Sequence, residues 1–182
     1  AGYKGHNAPP SHRFKVYTDL VKGQRIERPD QVWASDITYL RTREGFCYLA
    51  LVTDAYSRKV VGWDVSRSLE LGGCMRAVAM ACAGRGGTGT VHHSDRGTQY
   101  CSHAYTGYLR ENGIRISMGG AGNCYDNAMA ERVNGILKGE VNLDATFFDL
   151  RSARRAVAQA IHVYNDKRPH MALDMRKPSE LY

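Results

Sequence analysis

The 182-residue chain has no apolar run approaching the roughly 18 residues a membrane span requires, and its mean hydropathy is −0.45. Its opening stretch, AGYKGHNAPPSHRFK, lacks the apolar segment of a secretory signal. These absences point to a cytoplasmic protein without a membrane partner. The five cysteines, at 47, 74, 82, 101 and 124, are odd in number and include no Cys-x-x-Cys pair. That argues against a disulfide framework or a structural zinc site, and reduced thiols are the simplest account. No internal repeat or low-complexity tract occurs, and no P-loop suggests a nucleotide-driven reaction. The first residue is not methionine, as in a fragment of a longer chain.

What is present is an ordinary globular composition with a basic bias. Apolar residues make up 43% and charged residues 24%, enough of the former to build a core without staples. The net charge is +7. A basic chain suits a polyanionic partner, because each phosphate it neutralises releases counterions. Charge alone leaves a merely soluble basic protein equally open.

Hydrophobic patterning divides the chain into residues 1–30, an extended, mildly basic arm or linker, and a single domain over 31–182. The arm carries Pro9, Pro10, Gly23 and Pro29, with six Lys or Arg against three acids. Three strand-like runs follow, Gln31 to Leu40, Phe46 to Asp54 and Lys59 to Ser66. Their short connections predict an antiparallel meander. Helical spacing then appears over Leu71 to Ala83. A short strand from Thr90 to Ser94, a helix from His103 to Glu111 and a strand from Ile114 to Met118 come next. This strand–helix–strand alternation predicts parallel pairing through right-handed crossovers. A glycine loop, Gly119 to Asn123, leads into a helix from about Tyr125 to Val141. A second helix spans Asp149 to Asp166, with Asp149 as its N-cap and one apolar stripe through Ala153, Val157, Ala160, Ile161 and Tyr164.

Three acids stand out. Asp36 interrupts an apolar strand, where an isolated carboxylate is costly without a partner, a proton or a metal. Asp95 follows a predicted strand end, where catalytic groups collect in parallel sheets. Glu131 shares a helix face with Asn127, Asn134 and Lys138, all within roughly 60° at 100° per residue. Met129, Val133, Ile136 and Leu137 lie opposite. Taken singly, Asp36 also reads as an exposed strand residue, Asp95 as a turn residue and Glu131 as part of a solvated face.

Spacing and local motifs join them. Thirty-five residues separate Asp95 from Glu131. Around the acids stand Trp33-Ala34-Ser35-Asp36-Ile37-Thr38, Asp54-Ala55-Tyr56-Ser57-Arg58 and His93-Ser94-Asp95-Arg96-Gly97-Thr98-Gln99-Tyr100. Further on come Gly122-Asn123-Cys124-Tyr125-Asp126-Asn127-Ala128 with Glu131, Leu137-Lys138 and Glu140, then Tyr164-Asn165, Arg168-Pro169-His170, Leu173 and Pro178. In order and spacing these blocks resemble the catalytic cores of DDE transposases and retroviral integrases, above all the second-frame transposases of bacterial insertion sequences of the IS-three family.

The resemblance implies an α/β, RNase H-like fold: a five-stranded mixed sheet, meander first and parallel strands after, flanked by helices. It implies that Asp36, Asp95 and Glu131 converge as catalytic residues holding Mg²⁺ or Mn²⁺, two ions per site with Asp36 bridging. The implied chemistry is cleavage at a 3′ end of an element, then attack of that 3′-OH on another strand, which is integration and recombination of DNA. Lys138 resembles the family's basic residue at that offset and is expected on DNA near the reacting phosphate. Asn123, Tyr125, Asn127 and Asn134 are further candidate DNA contacts. The implied partners are DNA ends and target DNA, in a dimer or larger assembly, with a helix-turn-helix region upstream. Two rival readings share the same acids: a nuclease that only hydrolyses, and a DNA-binding module without catalysis.

Overall fold

The computed structural model describes residues 14–85, 87–120 and 124–182, and the side chains of all of these but 85 and 124–127. The meander is β1 (Val32–Thr42), β2 (Gly45–Asp54) and β3 (Val60–Ser66). Helix α1 (Leu71–Arg85) leads to β4 (Val91–Ser94), and α2 (Thr98–Cys101) and α3 (His103–Glu111) lead to β5 (Arg115–Met118). The strand order is β3-β2-β1-β4-β5, antiparallel across the meander and parallel across β1-β4-β5. This is the mixed sheet expected of the sequence, with one correction. A sixth strand, β6 (Thr146–Phe147), pairs in parallel with the far end of β1. Two residues carry no period to read, so pattern alone could not find it.

Helices cover both faces of the sheet. On one face α1 and α3 enclose Trp33, Ala50, Val52, Val78, Leu109 and Ile116. On the other, α5 (Leu150–Asp166) and the segment after α4 (Cys124–Gly135) enclose Leu40, Leu49, Leu51, Val65 and Tyr164. Helix α5 begins as the sequence predicts. The Asp149 carboxylate accepts the Ser152 N–H, and the Ser152 hydroxyl accepts the Asp149 N–H, which satisfies two otherwise orphaned donors. Its apolar stripe is buried, except that Ala156, which also belongs to it, is half-buried. Helix α1 lies close on β3 because Gly62 has no side chain; a Cβ there would stand 2.1 Å from the Ala77 carbonyl oxygen.

The helix expected to run unbroken to Val141 changes winding instead. It is α-helical to Gly135 and π-helical over Ile136–Glu140. The wider turn lets neighbouring Ile136 and Leu137 both bury, and the Val141 N–H closes the five-residue step onto the Ile136 carbonyl. Glycines at 135 and 139, poor α-helix formers, flank the change. Residues 14–31 contain neither helix nor strand, yet Val21 is buried with Val32, Ala55 and Val91, and the Leu20 N–H donates to the Ser117 hydroxyl. No helix among the described residues is long and apolar enough to cross a membrane.

Candidate active site

The register of two parallel strands brings the first two acids together. Along β1 and β4, Val32 lies beside Val91, Trp33 beside His92 and Ala34 beside His93. Two residues further in the same register, Asp36 comes level with Asp95, the residue that follows β4. Neighbouring strands lie about 4.8 Å apart and a two-residue step returns to the same face. Both acids line one cleft of about 400 Å³, with Tyr39, Tyr48, Gln99 and Tyr100 among its walls. The Asp95 carboxylate accepts the Gly97 N–H at 2.8 Å. A Cβ on Gly97 would stand 2.9 Å from that same oxygen, so a side chain there would push the carboxylate aside.

Helix α4 supplies the third acid and an amide. Asn134 donates from Nδ2 to Asp36 Oδ2 at 2.8 Å, while its own Oδ1 is buried without a hydrogen-bond partner. Burial pushes the Asp36 carboxyl above its ordinary value, and the negative charges of Asp95 and Glu131 add to the shift. The Ile37 backbone N–H and the Asn134 amide oppose it. Asp95 and Glu131 each therefore lie within electrostatic reach of Asp36. Glu131 is exposed, and among the described residues no three His, Cys, Asp or Glu side chains are already drawn into a metal cage. Like-charged carboxylates separate when no cation lies between them. An all-oxygen set of acids, one held unfavourably charged by the other two, suits a hard divalent cation.

Lys138, in the π-helical turn, places its ammonium 4.6 Å from the centre of the Tyr39 ring, at the wall of the same cleft. Asn123 lies outside the described residues, as do the side chains of Tyr125 and Asn127. Gln99 lines the cleft and donates to the Leu69 carbonyl. His92 and His93 are both buried, as consecutive residues of a strand covered on both faces. The His92 Nε2 lies 2.7 Å from the Ser35 hydroxyl and 2.8 Å from the Tyr105 hydroxyl, and burial pushes its pKa down to about 3. His93 Nδ1 meets the Ser117 hydroxyl at 2.8 Å.

Asp54 is structural. Its carboxylate accepts the N–H groups of Asp30 and Ser57 and the Ser57 hydroxyl, tying residues before β1 to the β2–β3 turn. Arg154 likewise turns inward to Asp64 and the Val65 carbonyl. Sequence reasoning missed Tyr39 as the rest for Lys138, because cross-strand neighbours carry no local signal. It also missed a second cavity, on the opposite side of α4, where Arg58, Arg132 and Arg168 gather.

Comparison with known proteins gives consistent matches. Residues 26–124 match one family model described as integrase core domain, and residues 112–178 match a second of the same description. The chain is 41% identical over 163 residues to the transposase for insertion sequence element IS629 of Shigella sonnei, covering 89% of this chain and 55% of that protein. It is 38% identical over 170 residues to transposase InsF for insertion sequence IS3A of Escherichia coli strain K12, covering 92% and 57% respectively. The chain thus spans little more than half the length of these relatives. Among solved structures, the HTLV-2 integrase catalytic core domain in complex with magnesium superposes with a TM-score of 0.68 at 18% identity, over 86% of this chain and 99% of that one. A chain of the simian T-cell lymphotropic virus intasome in complex with PP2A regulatory subunit B56 gamma gives 0.72 at 19%, over 95% and 60%.

Proposed function

Since the chain belongs to the integrase core domain family, we propose that it is the catalytic core of a DNA transposase that cuts the 3′ ends of an insertion sequence and joins them to another strand. The observation that carries this reading is the meeting of Asp36 and Asp95 in one cleft, with Glu131 near enough to disturb Asp36. These three carboxylates are the metal ligands in this reading, and Mg²⁺ or Mn²⁺ the metal. When bound, such a cation neutralises charge on the phosphoryl oxygens and the leaving oxygen of the broken ester.

The remaining work falls to the chain. The parallel register of β1 and β4 sets the spacing of Asp36 and Asp95. Asn134 orients the Asp36 carboxylate from α4, so that helix and sheet are tied at the reacting end. Glu131 on the exposed face of α4 would complete the set of carboxylates that holds the cation. Lys138 lies where an incoming phosphate would pass, its ammonium resting over the Tyr39 ring. Transesterification exchanges one phosphodiester for another, so no nucleotide is consumed. The protein acts on DNA in the bacterial cytoplasm, as two or more copies on paired ends. Recognition of the end sequence belongs to a helix-turn-helix region upstream.

The test is an assay with labelled terminal DNA and Mg²⁺. Joined product is expected from the natural sequence, and none from Asp95→Asn, whose circular dichroism should be unchanged. Nicking without joining would replace the reading with a hydrolytic nuclease. Binding without either reaction would replace it with a DNA-binding module.

A further inference from the structure

The cavity behind α4 has a volume of about 420 Å³, within the range of about 300–1,000 Å³ typical of ligand sites. Its floor is apolar, formed by Met129, Val133 and Ile136 of α4 and by Tyr164 of α5. Its rim is cationic. Arg58 comes from the β2–β3 turn, Arg132 from α4 and Arg168 from the segment after α5. Arg168 is engaged with Glu140 in a two-pronged pair, at 2.6 and 2.8 Å. Among the described residues, no carboxylate pairs with Arg58 or Arg132. Three guanidiniums beside the Glu140 carboxylate leave the rim positive, which favours an anion there.

Arg58 is also held there against its backbone preference. Its φ is +65°, in the left-handed region that non-glycine residues rarely occupy. The turn is fixed from three sides. The Asp54 carboxylate takes the Ser57 N–H, the Arg58 N–H donates to the Asp54 carbonyl, and the Tyr164 hydroxyl donates to the Arg58 carbonyl at 3.0 Å. Strain of this kind persists where surrounding structure enforces it, and it concentrates at functional sites. Neighbouring groups register the positive field. His170 lies 3.2 Å from Arg168 and titrates below its ordinary value, first through burial and then through Arg168 and Arg132, with the Tyr164 carbonyl and Glu140 opposing. Burial lifts the Tyr164 hydroxyl to about 12, against the pull of Arg58, Arg168 and Arg132.

We propose that this cavity binds one nucleotide of a DNA strand, its phosphodiester gripped by Arg58 and Arg132 beside the Arg168–Glu140 pair and its sugar or base resting on the apolar floor. The inference rests on the transposase reading for its choice of DNA. Planar guanidiniums match phosphate oxygens two at a time, and a cationic rim over an apolar platform is the usual construction for single strands. The position suits a strand that also enters the cleft of Asp36 and Asp95. At 100° per residue Glu131 and Asn134 stand opposite the floor residues Met129, Val133 and Ile136 on a helix about 10 Å thick, so the acid cleft and the cationic cavity lie on its two sides. A short stretch of extended strand covers that distance. Occupation of the cavity would hold α4, and with it Glu131, against the DNA.

The experiment uses the full chain carrying Asp95→Asn, which separates binding from chemistry. Fluorescence anisotropy measures binding of a labelled duplex with a single-stranded overhang, in two unrelated sequences, over a series of salt concentrations. Adding Arg132→Gln or Arg58→Gly should lower the slope of log affinity against log salt by about 1 each, equally on both sequences. Glycine relieves the left-handed backbone, so Arg58→Gly should resist urea at least as well as its parent. The ring titration of His170 should move up when DNA binds. An unchanged slope overturns the proposal, as does a loss of slope accompanied by lost stability in Arg58→Gly. A dimer that dissociates in these variants at unchanged slope would assign the arginines to a carboxylate of a second copy, and also overturns it. The natural sequence is assayed in parallel for joining with Mg²⁺. Joining with unchanged slopes defeats the cavity alone, lost slopes without joining defeat the transposase reading alone, and no DNA binding by the parent defeats both.

Discussion

His92 shows how far one buried side chain can set the pH range of the fold. Its ring is enclosed by Ser35, Tyr100 and Tyr105 and stays neutral to about pH 3. In the unfolded chain it would take up a proton near pH 6.5. The sign follows from linkage: stability is present above pH 6.5 and is lost as the pH falls toward 3, by about 1.4 kcal/mol per pH unit for one proton. Urea unfolding at pH 6.5 and 5 should show that slope, and His92→Gln should flatten it while lowering stability throughout by about 1–3 kcal/mol through the hydroxyls it strands. An equal slope in the variant would mean that other groups govern acid unfolding. The acids of the candidate site are harder to read residue by residue. Asp36 and Asp95 each have an ordinary alternative in the sequence, and only the spacing to Glu131 and the surrounding blocks single them out. The Asn134 hydrogen bond to Asp36 was not legible at all, because it joins residues 98 apart whose approach depends on how α4 docks.

Among the elements, long periodic segments were legible and short or irregular ones were not. The four main helices and five main strands follow hydrophobic spacing, and α5 even announces its cap through Asp149 and Ser152. The π-helical turn was hidden, since Gly135 and Gly139 are compatible with a continuous helix and only the burial of both Ile136 and Leu137 favours the wider winding. That turn matters to the site. It follows Asn134 directly and carries Lys138 to the Tyr39 ring beside the acid cleft. Lys138→Ala should therefore weaken binding of terminal DNA and lower the salt slope by about 1, with no sequence preference. Lys138→Arg should largely restore both, because it keeps the charge and the stacking on the ring. Anisotropy at several salt concentrations decides it; an alanine variant with the original slope would place Lys138 off the DNA path. The sheet's sixth strand, β6, has a simpler role in this scheme, anchoring the chain between α4 and α5 to the far end of β1.

At the scale of the molecule, two hydrophobic layers share one sheet, and the candidate site draws on both sides of it. Asp36 stands within β1 and Asp95 just past the end of β4, while Asn134 and the charge of Glu131 reach Asp36 from the helical layer on one face. Such a site keeps its geometry only if both layers behave as one cooperative unit. Two buried cysteines report on this. Cys47 belongs to the layer with α5, and Cys74 to the layer with α1. Burial raises both thiols, Cys74 to about 11, so neither reacts readily while the fold is closed. Alkylation in low urea, followed by mass spectrometry at each cysteine, gives an opening free energy for each layer. The two should agree with each other and with global unfolding. Addition of Mg²⁺ should then protect both cysteines by the same factor, because a cation that binds only the folded state stabilises whatever unfolds together. Protection confined to Cys47 would mean that the metal holds α4 against an already rigid sheet, and that the α1 layer opens on its own. In that case Asp95, which follows β4, would owe its position to local turn geometry at Gly97 more than to the sheet, and Gly97→Ala, which crowds the Asp95 carboxylate, would abolish Mg²⁺ protection without changing the opening of either layer.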